Sequence, residues 1–232
     1  GTVVNDTLTL RLRNPSTNAV ITTLASFSNR DAGSSYVARF ANLTPYAGQS
    51  VRIALTSQEN GSLATAFVLD DFALSVQMMT NGGFESGGGS PAPWTASAGV
   101  ITDSGAFPAR TGAWKARFGG TGGAGAWTLT QTLALPANAA QITLACWLRI
   151  STEETGSTAY DTLAVQLRNP STNAVITSLA SYSNVNAGTG YGQRSFNLSA
   201  FRGQSLRLSF TGQEDDSLAT AFLVDDCTLV RT

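Results

Sequence analysis

The sequence predicts an all-β protein, a two-sheet antiparallel jelly-roll sandwich, and three kinds of observation lead to this fold. Short segments in which apolar and polar residues alternate recur throughout the chain, as they do in half-buried strands. Clusters of Gly, Asn, Ser and Pro separate these segments, which is typical of tight turns between strands. No segment of useful length shows the 3.6-residue period of an amphipathic helix.

The chain repeats itself at the scale of half a domain. Asp6–Ser75 aligns without a gap with Asp161–Val230, and about 40 of roughly 70 aligned residues are identical. Residues 80–155 occur only once. We therefore predict the C-terminal half of one repeat at residues 1–76 and a complete repeat at residues 77–232.

Five strands are predicted in the first copy, each bounded by turn-forming residues. The first strand alternates strictly, TLTLRLR, and ends at the turn cluster Asn14–Asn18. The five predicted strands are Thr7–Arg13, Ala19–Phe27, Tyr36–Phe40, Ser50–Thr56 and Ala66–Val76.

Between the copies, a glycine run at Ser86–Ser90 leaves two interpretations open. Such a run is typical of a flexible linker, but the repeat register favours a first strand at Phe84–Glu85 followed by a surface loop. Further strands are predicted at Trp94–Thr102, Ala113–Phe118, Trp127–Leu135 and Gln141–Ile150. One complete repeat then holds about nine strands, which suits a jelly roll.

The composition excludes several classes of function. Charged residues make up 12% of the chain and the net charge is −1, whereas nucleic-acid binding calls for a basic stripe. No apolar run reaches the roughly 20 residues of a membrane-spanning helix. The absence of histidine removes a Ser-His triad and an ordinary zinc site, and no phosphate-binding loop is present. We therefore expect no enzymatic activity.

Several motifs in residues 80–232 resemble a known family. NGGFESG is followed by ARTG, ITLACWLRI, YDTL, GQSLRL and a final FLVDD. Together they resemble secreted bacterial jelly-roll domains of the galactose-binding-like type, akin to carbohydrate-binding modules and MAM domains. Such domains recur in tandem in large extracellular proteins and as appendages of secreted peptidases and glycosidases. The resemblance also covers residues 1–76, as the C-terminal half of such a domain. It implies an extracellular or cell-surface location.

Acidic residues form the first group of candidate site residues. Oxygen ligands without His or Cys suit Ca²⁺. In related jelly rolls a structural calcium ion ties a Glu near the first strand to an Asp of the last, and the resemblance transfers these roles to Glu85 and Asp225. Glu154, Asp161 and Glu214 are candidates for a second acidic cluster. Carboxylates that are solvated or that cap backbone N–H groups are the alternative.

Aromatic residues and cysteines form the second group. Sugar-binding faces stack pyranose rings on exposed aromatic side chains, and the candidates are Trp94, beside a proline, and Trp127, beside a glycine loop. Trp147, in the most apolar strand, is predicted to lie in the core. Cys146 and Cys227 fall on strands that are often neighbours in a jelly roll, so a disulfide and a buried pair of free thiols are both open.

These observations favour a non-enzymatic structural or adhesive repeat segment of a large extracellular protein. A carbohydrate-binding module of a secreted hydrolase or peptidase, with polysaccharide as its partner, is the alternative. Because an isolated back half would expose an apolar face and unpaired strand edges, residues 1–76 are expected to need a partner. The expected partner is the preceding fragment of its own chain or another copy of the protein, and copies joined head to tail would make an open fibre.

Overall fold

The computed structural model describes residues 3–232. The chain divides into two compact units, Gly1–Phe72 and Ala73–Thr232, close to the predicted boundary at residue 76. The strands are β1 Thr7–Arg13, β2 Val20–Ser28, β3 Arg52–Gln58, β4 Val76–Gln77, β5 Thr95–Ala96, β6 Ile101–Thr102, β7 Lys115–Gly119, β8 Gly125–Ala134, β9 Ile142–Thr152, β10 Thr162–Arg168, β11 Val175–Ser183, β12 Gly192–Asn197, β13 Ser205–Glu214 and β14 Thr220–Arg231. Short 3₁₀ turns lie at Asn29–Asp31, Thr44–Tyr46, Asn184–Asn186 and Ser199–Phe201. Across residues 3–232, no helix has the length and apolar character needed to cross a membrane.

The second unit is a sandwich of two antiparallel sheets, as the sequence predicts. One sheet has the order β11-β10-β13-β8-β5. The other has the order β12-β9-β14-β7-β6, with β4 also paired to β14. Their inner faces share one apolar core, because the alternating strands each turn one set of side chains inward.

The side chains of β9 show this alternation. Those that enter the core are Ile142, Leu144, Cys146, Leu148 and Ile150. Trp147 and Arg149 lie between them on the outer face of the sheet and are half-buried. The prediction that Trp147 lies in the core is therefore wrong, since its neighbours of opposite parity take the inward positions.

A β-bulge in β14 explains the acidic pair Asp225-Asp226. The register of β14 against β9 shifts between Asp225 and Thr228, and Asp226 has φ 45°. The extra residue changes which side chains enter the core, so that Val224 points inward before the bulge and Cys227 points inward after it.

The first unit forms only one of the two sheets. Its described residues contain a three-stranded sheet of order β2-β1-β3, equivalent to β11-β10-β13. The strands predicted at Tyr36–Phe40 and Ala66–Val76 are wrong, since neither of these described segments forms a strand before Val76. Their equivalents are β12, which pairs with β9, and β14, which pairs with β9 and β7. Both partner strands belong to residues 80–155, which occur once, and a segment without a partner strand has no ladder of hydrogen bonds to hold it extended.

Two predictions for the middle of the chain also need correction. Phe84–Glu85 lies in a turn rather than a strand, and Phe84 has φ 61°. The single strand predicted at Trp94–Thr102 is divided into β5 and β6. Gly99, with φ 75°, lies in the turn between them, because a residue without a Cβ adopts this conformation without strain.

Candidate functional site

The most prominent candidate site is an apolar surface of the first unit whose equivalent in the second unit is buried. Five apolar positions of the repeat are 39% to 68% exposed in the first copy and at most 2% exposed in the second. The exposed residues are Ile53, Leu55, Val68, Leu69 and Phe72, and their buried equivalents are Leu208, Phe210, Leu223, Val224 and Cys227. We call the five exposed residues the open face. Large exposed apolar patches mark surfaces that bind other molecules.

An open cleft of about 430 Å³ lies in the same unit. Its lining includes Leu8 and Phe27, from β1 and β2, and Phe67, from the segment without a partner strand. The equivalents of Leu8 and Phe67 are Leu163 and Phe222, which belong to the core of the second unit. The equivalent of Phe27 is Tyr182, which packs against that core. The cleft therefore occupies the position at which a complete repeat has its core.

Glu214 shows how polar groups join the two parts of a complete repeat. Its carboxylate accepts hydrogen bonds from the backbone N–H groups of Gly120–Gly122 and from one hydroxyl of that loop, at 2.6 to 3.3 Å. It also accepts the N–H of Thr220 at 3.0 Å. Its equivalent in the first copy, Glu59, accepts the matching N–H of Thr65 at 3.0 Å. The bonds to the 120–122 loop are thus the ones that the first copy lacks within its described residues.

The carboxylates of the bulge hold a second loop from the part that occurs once. Asp225 accepts hydrogen bonds from the N–H groups of Arg110, at 2.8 Å, and Thr111. Asp226 accepts the hydroxyl of Thr111 at 2.7 Å and forms an ion pair with Arg110 at 2.6 Å. The equivalent pair Asp70–Asp71 of the first copy is exposed.

Burial raises the pKa of Asp225 to about 6. The side chain is fully enclosed, and enclosure disfavours the charged form of a carboxyl group. The N–H donors of Arg110, Asp226 and Thr111 oppose the shift of this pKa because they favour the carboxylate.

Glu85 and Asp225, the predicted calcium ligands, bind two parts of one loop. Glu85 accepts hydrogen bonds from the N–H groups of Ala113, at 3.1 Å, and Trp114, at 2.9 Å. With N–H donors aimed at both carboxylates, the arrangement does not fit an ion shared between them, because a cation needs the same lone pairs. Within residues 3–232, no three His, Cys, Asp or Glu side chains are grouped as metal ligands. Calcium binding at this place stays a prediction.

The second predicted acidic cluster, Glu154, Asp161 and Glu214, has separate hydrogen-bond partners. Glu154 accepts the hydroxyl of Ser217 at 3.0 Å, and Asp161 accepts the N–H of Asp215 at 2.9 Å through Oδ1. Glu214 accepts donors from the 120–122 loop, as described above. The other oxygen of Asp161, Oδ2, is buried and finds no hydrogen-bond partner in the described part of the chain. Metal binding by these residues also stays a prediction.

The two cysteines form a disulfide, Cys146–Cys227, so the free-thiol alternative does not apply. The bond joins β9 to β14 and lies in the core. Cys146 belongs to the part of the chain that occurs once, and Cys227 belongs to the second copy of the repeat. The first copy carries Phe72 at the position of Cys227. The disulfide therefore ties residues 80–155 to one of the two repeat copies.

The two tryptophans predicted to stack on sugars lie in different environments. Trp94 is only 3% exposed, its Nε1 donates to the carbonyl of Asn81 at 2.8 Å, and its ring packs against Phe84 and Phe210. A ring enclosed in this way has no face open to a sugar, which corrects the prediction for Trp94. Trp127 is half-buried near the start of β8 and packs against the core, and its sugar contact stays a prediction.

An aromatic and basic group on the outer face of the β9 sheet was missed by the sequence reasoning. The guanidinium carbon of Arg110 lies 3.8 Å from the ring centroid of Trp147, an arrangement that attracts a cation to an aromatic face. Tyr191 donates its hydroxyl to the carbonyl of Pro108 at 3.1 Å, and burial raises the pKa of Tyr191 to about 12. The strand parity was the available signal, because an inward Cys146 requires an outward Trp147. We call Arg110, Trp147 and Tyr191 the outer aromatic group.

No family model matches the sequence, and no curated protein matches it. Several solved structures are similar in fold. A family 61 carbohydrate-binding module in complex with β-1,4-galactotriose has a TM-score of 0.48 and 15% identity, and the match covers 68% of this chain and 99% of the module. A family 16 carbohydrate-binding module has a TM-score of 0.43 and 19% identity, with 66% and 98% covered. A cleaved adhesin domain of Lys-gingipain from Porphyromonas gingivalis has a TM-score of 0.43 and 16% identity, with 68% and 99% covered.

These similar structures are carbohydrate-binding modules and adhesin domains with a β-sandwich fold. At such identities and TM-scores, the likeness concerns the fold alone. The fold rests on the chain's own two sheets and shared core. The chain thus carries a jelly-roll β-sandwich of the type that the motifs of its sequence predict.

Proposed function

We propose that this chain is a non-enzymatic structural or adhesive repeat segment of an extracellular protein, and that strands of another polypeptide complete its first unit. One observation carries the proposal: the same apolar positions are exposed in one copy of the repeat and buried in the other. An apolar surface of this kind is stabilised when another molecule covers it, because removing apolar area from water is favourable.

The composition and the disulfide support an extracellular role. Cys146–Cys227 is buried in the core, and structural disulfides persist in oxidising compartments. The absence of histidine supports a non-enzymatic role, since the common nucleophile–base pairs depend on this residue.

Association measured by sedimentation velocity tests the proposal. The chain is expected to associate with other copies of itself, or with an added partner polypeptide, as its concentration rises. The double substitution Val68→Ser and Phe72→Ser on the open face is expected to weaken this association. Val20→Ser and Ile21→Ser form the matched control, because these residues are 48% and 41% exposed and their equivalents in the second copy are also exposed. Association that is absent, or that the control weakens equally, would count against the proposal.

A carbohydrate-binding module is the second candidate function, and the outer aromatic group is the observation that favours it. Trp147, Arg110 and Tyr191 combine an aromatic ring with polar groups on the outer face of a sheet, which is the combination that sugar recognition uses.

Calorimetry with a panel of soluble polysaccharides tests this candidate. Trp147→Ala is expected to abolish binding, and Trp127→Ala tests the tryptophan that the sequence predicts. Tyr160→Ala serves as the control, because this tyrosine is 50% exposed and lies outside the outer aromatic group. Binding that survives Trp147→Ala would remove the outer aromatic group as the site, and no binding to any polysaccharide would remove the candidate.

A further inference from the structure

We propose that Arg117 and Arg149 bind an oxyanion group, a carboxylate or a sulfate ester, that is carried by an acidic polysaccharide. We call these two residues the arginine pair. The inference rests on the second candidate function, in which the outer aromatic group binds polysaccharide, and it names the chemical class of that polysaccharide.

The sheet brings the two arginines to one place on its outer face. Leu223 of β14 lies opposite Arg117 of β7 and opposite Arg149 of β9. The neighbours of Leu223 in sequence, Phe222 and Val224, belong to the core, so Leu223 and the residues opposite it point outward. Because adjacent strands lie about 4.8 Å apart, the Cα atoms of the two arginines are about 10 Å apart across the sheet. Side chains as long as those of arginine can meet at one bound group between them.

The arginine pair lies in a partly enclosed environment. Leu223 is fully buried although it points away from the core, and Arg117 and Arg149 beside it are half-buried. The aliphatic stem of an arginine covers apolar surface of this kind while its charged end stays accessible. Water and salt screen a partly buried charge less than an exposed one, so an anion bound here would be attracted more strongly than at an exposed arginine.

The arginine pair lacks acceptors within the chain. Nε of Arg149 is buried and finds no hydrogen-bond partner within residues 3–232. Arg110–Asp226 is the single ion pair that these residues form, so neither arginine of the pair has a carboxylate partner. Buried donors in folded proteins are nearly always hydrogen-bonded, and a guanidinium group matches the geometry of an oxyanion. An oxyanion would therefore supply the acceptor that is missing.

Other arginines of the second unit have partners in the chain. Arg168 and Arg207 lie opposite one another on β10 and β13, and both donate to the turn between β10 and β11 at 2.6 to 3.2 Å. Arg194 also has an unpaired Nε, but its guanidinium carbon lies 5.5 Å from the ring centroid of Tyr182, and it donates to the carbonyl of Gln193. The arginine pair differs from these residues in having neither kind of partner.

The charged groups around the arginine pair leave its positive charge available. The nearby carboxylates Asp225 and Asp226 accept their donors from Arg110 and the residue after it. Lys115, two residues before Arg117 on the same face of β7, is also buried. Burial lowers the pKa of Lys115, and the charge of Arg117 lowers this pKa further, against the effect of nearby carboxylates. Such repulsion between like charges indicates a surface that favours an anion.

The outer aromatic group supports a sugar as the carrier of the oxyanion. Trp147 precedes Arg149 by two residues on β9, so the two side chains lie on the same face about 7 Å apart. The positive charge of Arg149 also acts on the hydroxyl of Tyr191, where it opposes the burial that raises the pKa of this group. An aromatic ring beside unpaired guanidinium groups fits a sugar that carries an acidic substituent.

Isothermal titration calorimetry with two matched pairs of polymers tests the inference. Polygalacturonate is compared with its methyl-esterified form, and dextran sulfate is compared with dextran, so that each pair differs in its charged groups. The chain is expected to bind a charged polymer and neither uncharged one, and the polymer that binds distinguishes a carboxylate from a sulfate ester. The double substitution Arg117→Gln and Arg149→Gln is expected to weaken this binding about tenfold or more, because charge-assisted hydrogen bonds are lost.

The double substitution Arg168→Gln and Arg207→Gln is the matched control. It removes the same charge from a neighbouring pair of arginines on the other sheet, and it is expected to leave binding unchanged. Equal weakening by the control would assign the binding to net charge and would overturn the site. Binding of poly-glutamate as tightly as the charged polysaccharide would overturn a polysaccharide as the ligand.

A measurement on the wild-type chain guards against a double variant that fails to fold. The Nε–H resonance of Arg149 in isotope-labelled protein is expected to shift when galacturonate or glucose sulfate is added, and not when galactose is added. Arg149→Lys assigns the resonance by removing it, and it is expected to bind with intermediate affinity because it keeps the charge and loses the planar guanidinium group. A resonance that none of these sugars shifts would overturn the site.

The polymers also separate this inference from the function on which it rests. Binding of an uncharged polymer that survives the loss of the arginine pair would overturn the inference and leave the second candidate function standing. No binding of any polymer would overturn both.

Discussion

Leu74 and Leu229 occupy the same position of the repeat, yet the first is 69% exposed and the second is 1% exposed. Both follow the same Ser-Leu-Ala-Thr-Ala-Phe motif and the same pair of aspartates. The segment around Leu229 forms β14, whereas the segment around Leu74 forms no strand within the described residues before Val76. The two copies thus share local sequence and differ in what pairs with them.

β12 and β14 depend on partner strands from outside the repeated half, whereas β10, β11 and β13 do not. The three-stranded sheet forms in both copies, with the same register between its strands. Each of its strands finds a partner inside the repeated half. The strands that need β7 and β9 form only in the unit that contains them.

Truncation of the two equivalent leucines is the strongest way to test this comparison. Leu229→Ala is expected to lower the free energy of unfolding of the second unit by about 3 kcal/mol, because it removes a fully buried side chain. Leu74→Ala is expected to change the stability of the second unit, to which Leu74 also belongs, by less than about 0.5 kcal/mol, as exposed substitutions do. Tryptophan fluorescence in urea reports on both substitutions, because the second unit holds every tryptophan of the chain. Equal effects would show that Leu74 is covered in the free chain.

The pair Glu214 and Glu59 tests the polar part of the comparison. Glu214→Gln is expected to destabilise the second unit by about 2 kcal/mol, because an amide leaves several N–H donors of the 120–122 loop without an ionised acceptor. Glu59→Gln removes one such bond and is expected to have a much smaller effect on the first unit. Hydrogen exchange of residues 120–122 and 65 checks this directly. A stable Glu214→Gln variant would contradict the bridging role.

Asp225 predicts a pH dependence of the stability of the second unit. Burial raises its pKa from 3.8 to about 6, so between these values the folded protein binds more protons than the unfolded chain. The stability contributed by this group therefore falls as pH rises from about 4 to about 6 and stays level above that. Asp225→Asn is expected to remove this fall in urea titrations followed by tryptophan fluorescence.

Asp70→Asn is the matched control for this titration, and it is expected to leave the pH profile of the second unit unchanged. A profile of Asp225→Asn that still falls with the wild-type slope would assign the fall to another carboxyl group.

Calcium is expected to give the smallest effect. An ion bound only to the folded state raises the melting temperature by mass action, so chelation would lower it if Glu85 and Asp225 shared one. The N–H donors that face both carboxylates lead us to expect a change close to zero in differential scanning calorimetry. If chelation clearly lowers the melting temperature of the wild-type protein but not that of Glu85→Gln, the calcium prediction is supported.

The candidate site was only partly predictable, and individual residues show why. The exposure of apolar positions in the first copy was expected from the repeat, because a half sandwich leaves them without cover, and the need for a partner stays a prediction. Trp94 was misplaced because its neighbour Pro93 suggested a loop, whereas the ring is enclosed by Phe84 and Phe210 from distant parts of the chain. The N–H groups that donate to Glu214 lie more than ninety residues away in sequence, so no local sequence pattern predicts these hydrogen bonds.

The fold class, the repeat and the strands whose partners lie within the repeated half could be read from the sequence alone. These features follow from local alternation and turn chemistry, which act between residues close in the chain. The difference between residues 66–75, which form no strand, and residues 220–230, which form β14, depends on tertiary contacts. A strand is completed by hydrogen bonds to its neighbours, and two segments of nearly the same sequence therefore differ when only one has neighbours to bind.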